Sequence, residues 1–202
     1  MFNDDMWDRR YGSDDYHFGT EPAAFLAAQA GHIPAGSRVL CVADGEGRNS
    51  VYLAGLGHRV TAFDASQVGV DKAVRLAANQ GAEVAYHVSG IEDWDWSGGY
   101  DAVVAVFIQF APPEMRAKLF GWMADAIRPG GLLLLHGYAP RQIDNGTGGP
   151  PFVENMYTED LLRTAFDGWE ILRIADYDAV IEEGTGHSGQ SALVDLVARK
   201  PG

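Results

Sequence analysis

Asp44-Gly45-Glu46-Gly47 alternates acids with glycines, and a third acid, Asp64, follows about 20 residues after the turn. The glycines let a ligand approach bare backbone, and an acid at that spacing can accept hydrogen bonds from ribose hydroxyls. The combination is that of a nucleotide-type pocket. Ser50 stands where a dinucleotide fingerprint has its third glycine. Asp44 and Glu46 would repel a pyrophosphate, and they suit a cation. The second reactive group is His187, in Gly184-Thr185-Gly186-His187-Ser188-Gly189. A glycine-rich loop can come close to a ligand, and an imidazole ordinarily titrates near neutral pH. His187 is therefore a candidate base or acceptor-orienting group.

These groups need strands and helices to position them. Arg38–Val42 reads as a buried strand entering the glycine turn, and a helix follows from about Asn49 to Leu56, with Gly57 as its cap. Arg59–Asp64 reads as a second strand. Ala65-Ser66 leads into a helix with apolar Val70, Ala73, Val74 and Ala77, closed by Gly81. A third strand spans Glu83–Val88, and the polar turn Ser89–Asp93 follows. The apolar run Tyr100–Ile108 predicts a strand buried on both faces. Pro112-Pro113 opens a helix that Arg128-Pro129-Gly130-Gly131 stops, and Leu132–His136 is the fifth strand. Strands alternating with helices predict a parallel sheet covered on both faces. Before this, residues 1–20 are aromatic and charged, and a helix begins near Glu21-Pro22. After it come a Gly/Pro loop over 139–157, a short helix capped by Thr158, and two strands, Trp169–Ala175 and Ser191–Ala198. Residues 176–190 read as a polar connecting loop.

The 202 residues suffice for one domain with a sizeable core, and a hydrophobic content of 47% argues against disorder. The net charge of −13 disfavours a general nucleic-acid binder or an anionic membrane surface as partner. The single cysteine, Cys41, lies within a strand pattern and reads as a buried thiol. No apolar run approaches the ~20 residues that span a bilayer. The acidic N-terminus, Met1 to Asp5, carries no signal-peptide pattern. These features predict a cytoplasmic location, and they do not distinguish monomer from homodimer. The histidines show no metal-ligand spacing.

Together the motifs resemble the class I S-adenosylmethionine-dependent methyltransferases, and within them the small bacterial tellurite-resistance-like group. The points of resemblance are Phe18-Gly19-Thr20-Glu21-Pro22, Gly45–Ser50, Phe63-Asp64-Ala65-Ser66, Arg128–Gly131 and Glu183–Gly189. The cofactor implied is S-adenosylmethionine, which carries a sulfonium, an ammonium and a ribose but no phosphate, and S-adenosylhomocysteine would be its product. The resemblance implies a doubly wound, Rossmann-like α/β fold. Its seven-stranded sheet is mostly parallel with an antiparallel C-terminal strand, and the cofactor crosses the carboxyl ends of the parallel strands. The sequence departs from the family at Cys41, where an acid is usual, and at Ala43, where a glycine is usual. Ser188 replaces the basic residue that follows the hairpin histidine in the better-known tellurite enzymes.

The implied cofactor residues are Tyr16, Phe18 and Gly19 of an N-terminal lid; Asp44, Gly45, Glu46, Gly47 and Asn49; Asp64, Ala65 and Ser66; Gly90, Ile91 and Glu92; and Phe107. Gly90 stands where an adenine-binding acid is common, leaving Glu92 or the Ile91 backbone to serve. Gln109, Phe110, Tyr138 and Arg141 are the implied acceptor-side residues, and Arg141 could pair with an anion. Trp94 and Trp96 are expected to pack around the turn after the third strand. The expected activity is methyl transfer to a small molecule such as a thiol, a chalcogen oxyanion or another small nucleophile. The competing readings are a catalytically silent S-adenosylmethionine-binding regulator and, disfavoured by Asp44, Glu46 and Ser50, an NAD-type oxidoreductase.

Overall fold

The computed structural model describes residues 4–202. The start of the acidic N-terminus, and the lid expectation for residues 1–3, lie outside the described residues. The strands are β1 (Arg38–Val42), β2 (Arg59–Asp64), β3 (Val84–Val88), β4 (Tyr100–Val106), β5 (Ile127–Tyr138), β6 (Glu170–Glu183) and β7 (His187–Arg199). They form one seven-stranded sheet in the order β3-β2-β1-β4-β5-β7-β6. β1 to β5 run parallel, and β7 pairs antiparallel with both β5 and β6. The helices are α1 (Asp4–Tyr11), α2 (Ala24–Gln29), α3 (Arg48–Gly55), α4 (Gln67–Gln80), α5 (Pro113–Ala126) and α6 (Glu159–Ala165).

Strand alternation divides the core into two layers. Val39, Cys41, Val60 and Ala62 pack with Phe25, Leu26 and Leu53 on the α2–α3 side. Leu40, Val42, Phe63 and Val103 pack with Leu119, Phe120, Met123 and Leu162 on the α5–α6 side. Local signals set the helix ends as the sequence implies. Ser66 caps α4 by accepting from the Gly69 N–H at 3.0 Å, and Gly81 closes it at φ 65°. Thr158 caps α6 by accepting from Leu161 N–H. Val74 is an exception to the apolar face expected of α4, being 49% exposed.

Residues 89–99 form turns rather than a helix between β3 and β4. Two indoles cover the sheet there. Trp94 stacks on Phe63 at 4.3 Å, and Trp96 meets Phe63 edge-on while donating from Nε1 to Ile91 O. Beyond them a groove of about 690 Å³ remains over Arg38, Arg59, Thr61, Ala85 and Tyr100, at the amino-terminal strand ends and away from the glycine turn.

Two expectations need correction. β5 begins at Ile127, so Arg128–Gly131 lies within the strand, and Gly130 at φ 76° and a register shift opposite Tyr100–Ala102 absorb the irregularity. Residues 176–190 are not a loop. β6 and β7 continue as paired strands to Glu183↔His187, leaving a turn only at 184–186. Tyr177, Ala179, Ile181 and Glu183 are more buried than Asp176, Asp178, Val180 and Glu182, which point outward. That period-2 pattern was present in the sequence, but the glycines and acids masked it.

Candidate active site

The glycine turn leaves β1 through Ala43, which holds φ 48°, followed by Gly45 at 60° and Gly47 at 92°. Ala43 thus keeps the left-handed conformation for which the family resemblance implies glycine, at a cost of roughly 1–2 kcal/mol. Gly47 is a packing requirement, because a Cβ there would lie 2.7 Å from Ala73 Cβ and 2.9 Å from Tyr86 Oη. Asp64, at the end of β2, accepts from Gly45 N–H and Ser66 N–H, each at 2.9 Å. One carboxylate therefore orders the turns after both β1 and β2.

Asp44 turns its carboxyl to the Ser50 hydroxyl, which also lies 2.9 Å from Tyr86 Oη. The residue keeps some solvent exposure, but its carboxyl is enclosed. Burial first, then the charge of Asp64, pushes its pKa up to about 7, against the opposing Ser50 hydrogen bond. The charge of Asp44 in turn raises the Cys41 thiol, itself pushed well up mainly by burial. A carboxyl is thus supplied from the turn, close to a strand position that lacks one.

Over the turn lies the N-terminal segment. Tyr11 is buried, with its ring against the backbone of Gly45 and Gly69. Burial and then Asp64 hold its phenol well above the usual range. Asp8 accepts from Ser66 Oγ at 2.5 Å. Lys72 of α4 donates to the carbonyls of Tyr11, Ser13 and Asp15, and its Nζ lies 2.5 Å from Glu46 Oε1. Glu46 Oε2 accepts from Phe18 N–H at 3.4 Å.

The β6–β7 hairpin closes the other side. Gly186 and Thr185 donate backbone N–H to His17 O. A Cβ at Gly184 would stand 2.4 Å from that same oxygen, so this close approach requires glycine. Arg48 pairs with Glu183 at 2.7 Å with both side chains buried, and Glu183 Oε1 accepts from Ala24 N–H. The imidazole of His187 is sandwiched between Phe18 at 4.4 Å and Phe107 at 4.1 Å, and its Nδ1 lies 2.6 Å from Tyr138 Oη. Burial, then the charge of Arg48, lowers its pKa to about 2. His187 is therefore a neutral ring near neutral pH, neither a solvated turn residue nor a ready proton acceptor. Phe107 holds φ 56°, and its ring also meets His136 edge-on at 4.7 Å. His136 is bound to Asp195, which Arg173 and Tyr177 also contact.

Tyr11, Phe18, Asp44, Gly45, Asp64, Phe107, Tyr138 and His187 thus converge at the carboxyl ends of the parallel strands. Other implied residues are engaged elsewhere. Asn49 accepts from Ala23 N–H, holding α2. Tyr16 donates to Lys72 O. Gln109 exchanges two hydrogen bonds with the Tyr138 backbone, so its amide is not free for an acceptor. Arg141 pairs with Asp176 and Asp178 on β6 at an exposed position, which removes it as an anion clamp. Gly19 sits against Gly184, Ala65 is partly exposed, and Phe110 packs beside the core. At the turn after β3, Ile91 is core and its carbonyl is taken by Trp96, while Glu92 is exposed. Asp93 Oδ2 lies beside Gly90, 3.4 Å from where a Cβ there would stand. Sequence reasoning missed Asp93, the Arg48–Glu183 pair and Lys72. Only Lys72 had a clear signal, as a lysine flanked by Gly69 and Leu76 on the apolar stripe of α4.

Asp44 and His187 make a joint prediction about pH. Asp44 has its folded pKa raised from 3.8 to about 7, so the folded chain holds an extra proton between those values and stability falls as pH rises through them. His187 has its pKa lowered from 6.5 to about 2, so the unfolded chain holds the extra proton and stability rises with pH over that window. The two slopes oppose each other between about pH 4 and 6.5, each by up to about 1.4 kcal/mol per unit. Relative to wild type, Asp44→Asn should tilt the urea-unfolding free energy upward with pH there, and His187→Phe downward. Parallel curves for all three proteins would refute the assignment.

The strand order is that of a Rossmann-like methyltransferase fold, and the glycine turn and the acid at the end of β2 lie where that fold takes its ligand. Residues 39–131 match the family model described as a methyltransferase domain. The ubiquinone biosynthesis O-methyltransferase of Xanthomonas axonopodis pv. citri (strain 306) is 36% identical over 104 residues, which are 50% of this chain and 43% of that protein. The match thus spans less than half the length of this curated relative. Among solved structures, TehB from Haemophilus influenzae superposes with a TM-score of 0.71 at 20% identity, covering 98% of this chain and 66% of the other. The N-methyltransferase NodS from Bradyrhizobium japonicum WM9, in complex with S-adenosylhomocysteine, gives 0.72 at 12% identity over 98% of each chain. A structure titled for the conversion of a disulfide bond into a thioacetal group during echinomycin biosynthesis gives 0.78 at 20% identity, over 98% and 91%. These structural likenesses carry the fold. The residues present suit the cofactor through Asp64, a carboxylate at the end of β2 for a ribose, and the aromatic faces of Phe18 and Phe107 for a sulfonium. No helix among the described residues is long and apolar enough to cross a membrane.

Proposed function

We propose that this protein transfers the methyl group of S-adenosylmethionine to a small acceptor that arrives already ionised and soft, a thiolate or a comparable chalcogen anion. The observation that carries the reading is His187, a buried neutral imidazole with Nδ1 against Tyr138 Oη. S-adenosylmethionine supplies an electrophilic methyl. The acceptor's lone pair forms the new bond as the carbon–sulfonium bond breaks, and its electrons stay on sulfur. A thiolate needs no base for this, whereas a phenol or amine must lose a proton. In the tautomer with its hydrogen on Nε2, the neutral ring accepts from the Tyr138 hydroxyl at Nδ1 and can donate from Nε2 to an anion. Phe18 and Phe107 fix the ring's plane and exclude water, which strengthens that contact. Asp64 holds the ribose, and Asp93 is the acid available to the adenine amine. The thioacetal chemistry named for one structural neighbour accords with a sulfur acceptor.

The test is a panel of thiols, selenite, tellurite and phenols with labelled cofactor, in wild type, His187→Ala and Tyr138→Phe. Losing a hydrogen bond to a charged acceptor should lower kcat/KM for thiolates by about 10- to 150-fold in His187→Ala, with a smaller loss in Tyr138→Phe. The wild-type pH profile should follow the ionisation of each acceptor. A larger loss on phenols than on thiolates would mean that His187 removes a proton. It would instead favour O-methylation, the activity named for the Xanthomonas relative.

A further inference from the structure

We propose that Lys72 is a positioning residue that latches the N-terminal lid to the cofactor turn, making lid closure and cofactor binding one event. Lys72 is 2% exposed. Its ammonium contacts Glu46 Oε1 at 2.5 Å on one side and the carbonyls of Tyr11, Ser13 and Asp15 at 3.2, 2.9 and 2.7 Å on the other. The ring of Tyr16 lies 4.9 Å away. Its three N–H donors match the three lid carbonyls and its charge faces Glu46, so one buried group serves the turn and the lid together. Burying it costs free energy that only such a set of oxygens offsets. A lysine that served only as helix filler would be replaceable by an apolar residue.

The consequence follows from what Lys72 joins. Glu46 lies between the two glycines of the turn, and Tyr11 lies against Gly45. The three carbonyls belong to the stretch that links α1 to Phe18, the residue stacked on His187. Residues 12–15 form no regular element after α1, so their backbone has few internal hydrogen bonds to hold its shape. Lys72 supplies that shape through its three carbonyl contacts, and Glu46 offsets its buried charge from the turn side.

The inference rests on the cofactor reading, and the experiment separates the two. Hydrogen exchange over residues 7–20 and calorimetry with S-adenosylhomocysteine are run on wild type, Lys72→Met, Glu46→Gln and the double variant, with urea unfolding of each. Lys72→Met alone leaves Glu46 buried and unpaired and should be the least stable. The double variant removes both charges and should recover most of that loss. Lid exchange should nevertheless rise in both proteins lacking the lysine and stay near wild type in Glu46→Gln, whose carbonyl contacts remain. Affinity for S-adenosylhomocysteine should fall about tenfold or more in Lys72→Met and in the double variant. A double variant that regains stability, lid protection and affinity together would reduce Lys72 to half of a buried pair and overturn the latch. If wild type itself binds no S-adenosylhomocysteine, the cofactor reading fails and the coupling with it. If all four proteins bind it equally, the latch alone fails.

Discussion

Glu183→Ala is expected to destabilise the fold by about 3–5 kcal/mol, the scale for removing one partner of a buried ion pair. Arg48 is 6% exposed and reaches Glu183 at 2.7 Å, so the variant leaves a guanidinium with neither water nor counter-charge. It also strips the Ala24 N–H of its acceptor. Three distant parts of the chain meet at this carboxylate: the helix after the glycine turn, the start of α2 and the tip of the β6–β7 hairpin. Urea unfolding measures the loss. A paired control, Arg48→Met with Glu183→Leu, should recover much of the stability, because apolar residues of similar volume replace a buried pair at little cost. A loss below about 1 kcal/mol in Glu183→Ala would show that the pair is solvated in solution.

The second large effect is at Asp64. Asp64→Ala should weaken S-adenosylhomocysteine binding by about 3 kcal/mol, or more than 100-fold. Loss of hydrogen bonds to the ribose accounts for part of this. The remainder comes from the protein itself, because Gly45 N–H and Ser66 N–H lose the carboxylate that orders both turns. Asp64→Asn keeps an acceptor oxygen for one of those two groups and should lie between alanine and wild type. Calorimetry reads all three. Alanine binding within threefold of wild type would remove Asp64 from the site, and tight NAD binding in its place would overturn the choice of cofactor.

Local chemistry made much of the architecture legible. The glycine turn, the acid at the end of β2, the Ser66 and Thr158 caps and the apolar runs of β4 and β5 each depend on residues within one or two turns of chain, so the alternating fold could be read directly. The hairpin was harder. Its glycines and acids suggested a loop, while the inward alternation of Tyr177, Ala179 and Ile181 needed the partner strand β7 to give it meaning.

What the sequence determined by itself was the alternating α/β fold and the glycine turn with its acids, because these are local arrangements of backbone and charge. What only the tertiary structure decided was the duty of each polar group. Gln109 and Arg141 had the right chemistry for an acceptor, but Gln109 is spent on the Tyr138 backbone and Arg141 on two aspartates. His187 had the right chemistry for a base, and packing between two phenyl rings keeps it neutral. Lys72 stood out only as a charge on the apolar stripe of α4, and the fold gives its ammonium three carbonyls of the N-terminal segment. A side chain's charge and hydrogen-bonding capacity come with its type. Which partner uses them, and how far water is excluded, depends on segments far apart in the chain, and those meet only in the folded protein.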